Sequence, residues 1–181
     1  MSAEKKNVRV NIRALCAAAL LTACATVIAY ICKSFTLTPY IRITFENLPL
    51  ILTGYLFGPW AGLAAGLASD FLNTAVTYGL GQLNPILTLG AGIVGFAAGA
   101  VSKWILPKQG TLQLAVSVAA AHITGNMIVK SAGMMLYFGT PLPLLLPRIP
   151  LYLCIGIVEF FFLFVLLRNK GINKVVGAMR S

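Results

Sequence analysis

The sequence predicts an all-α membrane protein, a bundle of six transmembrane helices with both termini cytoplasmic, and three observations lead there. Of 181 residues, 59% are hydrophobic and only 10% are charged, whereas a soluble domain carries about a quarter charged residues. Apolar runs approaching the ~20 residues that cross a bilayer recur along the chain, and mean hydropathy is +0.88. The Lys and Arg residues gather in alternate connections, as the positive-inside rule requires. Six spans use so much of the chain that residues 1–181 read as one integral-membrane domain. That rule also accounts for most of the net charge of +10, so no nucleic-acid partner is expected; lipid is.

The first span covers about residues 11–32. Lys5, Lys6, Arg9 and Arg13 ahead of it, with Leu21-Thr22-Ala23-Cys24 inside it, imitate a secretion signal with a lipoprotein box. The apolar run continues to Ile31, too long for a signal core, so the helix is expected to stay. A polar loop follows, Lys33 to Thr44.

The stretch from Arg42 to Asn73 organises the rest. Arg42, Glu46 and Asn47 open it, an apolar run ends at Phe57, and Gly58-Pro59 breaks the chain before a second run reaches Asp70. Proline lacks the N–H that a helix interior needs, so the spacing predicts a helical hairpin of spans at about 45–57 and 60–78. The fourth, fifth and sixth spans are expected at about 85–104, 112–137 and 148–167. Pro150 is tolerated in the first turn of the last one, where its missing N–H has no partner to lose.

With the N terminus inside, ten of the fourteen Lys and Arg residues fall on the inner side. Lys33, Arg42, Lys130 and Arg148 do not. Lys33 reads as a snorkelling helix-end residue; the other three suit an anionic ligand taken from outside. Arg148, between Pro147 and Pro150 at a helix mouth, offers a guanidinium fork that matches a carboxylate.

Helical spacing sorts the other polar groups into stripes. Asp70, Asn73, Thr74 and Thr77 share one face of the third span, His122, Asn126 and Lys130 one face of the fifth, and Arg148, Tyr152 and Glu159 one face of the sixth. Polar stripes in lipid turn inward, so the three are expected to converge. Taken singly, His122 reads as a hydrogen-bonded interior histidine, and Glu159 as a structural acid paired with a basic group. Asp70 is either a site residue or a partner for nearby backbone and amide groups.

Small residues form a second pattern. Ala14/Ala18, Ala19/Ala23 and Ala25/Ala29 on the first span permit close helix approach, and Thr88, Gly92, Gly95 and Gly99 do the same on the fourth, where internal packing is the reading. Cys16, Cys24, Cys32 and Cys154 lie in apolar segments without metal spacing and read as packing residues. Neither a phosphate-binding loop nor an H-E-x-x-H or G-x-S-x-G motif is present. No catalytic residue, metal or cofactor is expected.

Several of these blocks together resemble the substrate-binding S components of energy-coupling factor (ECF) transporters, in particular the folate family. They are Ala19-Leu20-Leu21-Thr22-Ala23, the run from Arg42 to Asp70, the run from Asn84 to Gly95, Gly125-Asn126 to Lys130, and Arg148 to Glu159. The resemblance implies a six-helix bundle in a bacterial cell membrane that binds a vitamin at its outer side and hydrolyses nothing. It also implies docking on a transmembrane coupling subunit through Ala19 and Ala23, two cytoplasmic ATPase subunits, a lid at Lys33 to Thr44, and toppling of the bundle to release substrate inside.

Folate fits the chemistry. Its two glutamate carboxylates match Arg148 with Arg42 or Lys130, and its pterin edge suits Asp70, Asn84 or Asn126. With Tyr152 and Thr88 these form the candidate substrate-binding set. Two alternatives stay open: an S component for another anionic vitamin such as pantothenate, and a stand-alone channel or scaffold.

Overall fold

The computed structural model describes residues 12–33, 36–38, 41–107 and 110–169. The inner cations Lys5, Lys6, Arg9, Lys108, Lys170, Lys174 and Arg180 lie outside the described residues. Apart from one small hairpin, the described elements are helices.

Helix α1 (Ile12–Cys32) buries a narrow stripe of Thr22, Ala25, Ala29 and Cys32 and leaves Leu15, Leu20, Val27 and Ile31 facing outward. Where a polar loop was expected, strands β1 (Thr36–Thr38) and β2 (Ile41–Arg42) pair antiparallel. The β-branched Thr36, Thr38 and Ile41 favour that extended form.

Helices α2 (Asn47–Phe57) and α3 (Pro59–Thr77) form the expected hairpin. At its corner Gly58 has φ 104°, a left-handed value that glycine takes without cost, and Pro59 occupies the first helical position. The break adds a tie rather than losing one, since Gly58 N–H donates to the Gly54 carbonyl at 2.8 Å and Gly62 N–H to the Gly58 carbonyl at 3.0 Å.

Helix α4 (Pro85–Ala100) starts on a side-chain cap: Asn84 Oδ1 accepts from the N–H groups of Ile86 at 3.0 Å and Leu87 at 3.4 Å. It ends in a π turn, Val101–Ile105. Helix α5 (Thr111–Phe138) widens into a π segment over His122–Val129, a distortion that sequence spacing does not reveal. Gly139 closes it with φ 61°. A single turn, Leu142–Leu145, leads to helix α6 (Arg148–Arg168).

By length and composition, four segments can cross a membrane: Ile12–Cys32, Pro85–Ile105, Thr111–Phe138 and Leu142–Arg168. Helix α2 is shorter. Its 11 residues rise about 16 Å, half of a ~30 Å hydrocarbon core. It is instead the centre of the molecule, buried from Pro49 to Leu56. Leu50, Ile51 and Tyr55 join Ala25 of α1, Val94 and Ala98 of α4, Val118 of α5 and Leu163 of α6 in one core.

In lipid, apolar burial does not drive helices together; close packing does. Here glycine supplies it. A Cβ on Gly54 or Gly62 would strike the Gly95 carbonyl oxygen, and one on Gly95 would strike that of Gly62. Gly99 lies as tightly against the Gly58–Pro59 backbone. The small residues of the fourth span therefore pack inside, as expected. At the opposite end from Asn84, Gln113 ties α5 to α2 and α4. Its amide donates to the Ser102 and Leu106 carbonyls at 2.8 and 2.6 Å, and its Oε1 accepts from Tyr55 Oη at 2.7 Å.

Candidate functional site

Two polar stripes meet across α5 and α6, and the head of α2 joins them. Glu46, the residue before α2, is buried with its Oε1 3.3 Å from Lys130 Nζ. Lys130 reaches it because position 90 is glycine: a Cβ there would meet Lys130 Cγ at 2.6 Å. The Thr44 hydroxyl accepts from Glu46 N–H at 3.3 Å and helps fix the turn.

One turn earlier on α5, Asn126 Nδ2 donates to His122 Nδ1 at 3.1 Å. An amide nitrogen only donates, so Nδ1 is the acceptor and the ring proton sits on Nε2. That Nε2–H points at Glu159 Oε2, 2.8 Å away on α6. The ring has room because Gly156 stands opposite it, where a Cβ would come within 3.2 Å. His122 is thus a hydrogen-bonded interior histidine and Glu159 is paired with it, as read.

Arg148 opens α6 and is 5% exposed. Its Nη1 lies 2.6 Å from Met134 Sδ, its Nη2 donates to Tyr152 Oη at 3.2 Å, and its guanidinium lies 5.3 Å from the Tyr152 ring centroid. Among the described residues no carboxylate pairs with it: Glu46 meets Lys130, Glu159 meets His122, and Asp70 meets Thr88. A buried guanidinium satisfied only by a thioether and a phenol retains strong attraction for an anion.

The model of the family described as ECF transporter, substrate-specific component, matches residues 13–168. The chain belongs to that family. No curated protein matches it by sequence. Among solved structures, one described as FolT bound with folic acid is 18% identical, with TM-score 0.67, covering 83% of this chain and 89% of that one. A second, described as the S component of a bacterial ECF transporter, is 20% identical at TM-score 0.67 and covers 88% and 95%. At these identities the likeness is one of fold.

This S component does not gather all eight candidate residues. Asn126 joins His122 against α6, where Arg148 and Tyr152 pair, whereas Lys130, one turn beyond Asn126, turns to Gly90 of α4 and to Glu46. Asp70 turns elsewhere, its Oδ2 accepting from the Thr88 hydroxyl at 2.7 Å across α3 and α4. Thr88 and Gly90, against which Lys130 lies, are two residues apart and so on opposite sides of α4. The polar groups of the α3 stripe thus find partners of their own, Asp70 on α4 and Asn73 within α3, where its Oδ1 accepts from Thr77 Oγ1 at 3.2 Å. Asn84 serves α4 as its cap. Arg42 pairs through its backbone with Thr36, and its side chain lies outside the described residues.

Outside the bundle, Ala19 and Ala23 face outward on α1, whereas Ala25 and Ala29 face the core. Lys33 lies with its ammonium 4.6 Å from the Tyr78 ring centroid. An apolar cleft of about 260 Å³ opens between α5 and α6 against His122, Tyr152 and Phe160; neither Lys130 nor Arg148 lines it.

Glu46, Asn47 and Met134 were absent from the residues expected at the site. The first two had a signal, an acid and an amide heading an apolar segment; Met134 had none.

Proposed function

We propose that this S component captures folate at the outer face of a bacterial cell membrane and delivers it inward when coupled to an ATPase module. The carrying observation is Arg148: a buried cation beside Tyr152 that, among the described residues, has no carboxylate partner. The folate glutamate tail supplies the missing carboxylates, one to Arg148 and one to Lys130 or Arg42. The FolT structure that holds folic acid shares this fold, which supports the choice among anionic vitamins. In this reading the bundle has six spans with cytoplasmic termini, α2 and α3 together making the second and third. The coupling subunit docks on the outward face of α1 at Ala19 and Ala23 and brings two cytoplasmic ATPase subunits with it.

The test is folic acid binding to the purified protein in detergent, without ATP. Arg148→Ala is expected to weaken it at least ~100-fold, as loss of one partner of a buried charged pair costs about 3–5 kcal/mol. Arg148→Lys is expected to recover part of that, lacking the fork. Wild-type affinity in Arg148→Ala would overturn the assignment.

A further inference from the structure

Asn47, the first residue of α2, is fully buried, and neither its Nδ2 nor its Oδ1 has a hydrogen-bond partner. Among the described residues, no other side chain leaves two polar atoms orphaned in this way. Buried polar groups are nearly always paired, because each lone one forfeits a hydrogen bond it had in water. Its position explains the exception. Asn47 directly follows Glu46, whose carboxylate holds Lys130, and one turn from Lys130 the side-chain Oδ1 of Asn126 is likewise buried and unpaired.

We infer that Asn47 is a specificity residue, reading a paired donor–acceptor edge on the bound ligand while Asn126 Oδ1 takes a further donor. This rests on the proposed reading of Lys130 and Arg148 as the cations of the ligand site. A carboxamide presents an N–H and a carbonyl side by side, which matches a cis-amide, a primary amide or an amino-oxo heterocycle. A carboxylate cannot meet both halves, since it only accepts and leaves Asn47 Oδ1 unpaired. The anionic end of the ligand therefore belongs to the cations, and a neutral hydrogen-bonding head belongs to Asn47 and Asn126. Such a site rejects an analogue lacking the edge far more strongly than an apolar pocket does.

The experiment compares wild type with Asn47→Leu as purified full chains, using folic acid and 4-aminobenzoylglutamate, which keeps the anionic tail and lacks the heterocycle. Folic acid affinity is expected to fall at least about tenfold in the variant, and the ratio of the two Kd values to narrow by a similar factor. The ligand-free variant is expected to melt at or above the wild-type Tm, because leucine removes an unpaired amide. An unchanged Kd ratio, or a ligand-free Tm several degrees lower, would overturn the inference. Asn47→Ala serves if the leucine variant does not fold. Should wild type bind neither compound, the folate reading fails, and the ligand-free Tm still decides: a rise supports an amide waiting for its partner, and a fall refutes it.

Discussion

Glu46 and Lys130 are 84 positions apart in the chain and 3.3 Å apart in the fold, and both are buried. Removing one leaves the other as a charge without compensation, at a cost of about 3–5 kcal/mol. Glu46→Gln and Lys130→Met are each expected to lower Tm markedly. The double variant is expected to recover much of the loss while binding folic acid poorly. A double-mutant cycle on Tm and Kd separates the two effects; additive Tm losses would rule out the pairing.

The His122–Glu159 bond is expected to act on stability. Glu159→Leu strands the Nε2–H of His122 in an apolar interior, costing about 1–3 kcal/mol. Glu159→Gln retains an acceptor oxygen and is expected to cost less. Thermal melts of the two variants check the order, and the reverse order would contradict the Nε2–H tautomer.

Asp70 and Arg148 are expected to part company in binding assays. Asp70→Ala frees the Thr88 hydroxyl on the α3–α4 seam, so stability falls with folic acid affinity within a few fold of wild type. A Kd loss in Asp70→Ala as large as that in Arg148→Ala would place Asp70 in the ligand site.

Gly95→Ala is expected to destabilise by more than the roughly 1–3 kcal/mol of ordinary overpacking, since its methyl group meets backbone rather than a movable side chain. Gly81→Ala, with open space around it, serves as the control and is expected to be near neutral. Equal melting temperatures would contradict the glycine crossing.

Ala19→Trp and Ala23→Trp alter a face of α1 that points away from the bundle. Folic acid binding is expected to survive, while copurification of the coupling subunit is lost. Copurification at wild-type levels would move the docking surface off α1.

Much of the fold was legible because its signals are local. Gly58-Pro59 fixes a corner whatever surrounds it, and Asn84-Pro85 marks a capped helix start in the same way. The family was legible from the run Arg42 to Asp70. Of the candidate site, sequence marks only charges without a local partner: Arg148 stands out by position, and Lys130 likewise. Asp70 looks the same in sequence, yet its partner Thr88 comes from the next helix, and pairing across helices leaves no trace in spacing. The π segment of α5 and the burial of Asn47 were equally hidden, since both arise from how the helices lean on one another.

The crossing at Gly54, Gly62 and Gly95 limits how the molecule can change shape. Three helices whose main chains interlock cannot slide past one another, because small cores of this density have discrete packings rather than a continuum. Any change of shape must then come from the elements outside that crossing, swinging about a rigid keel.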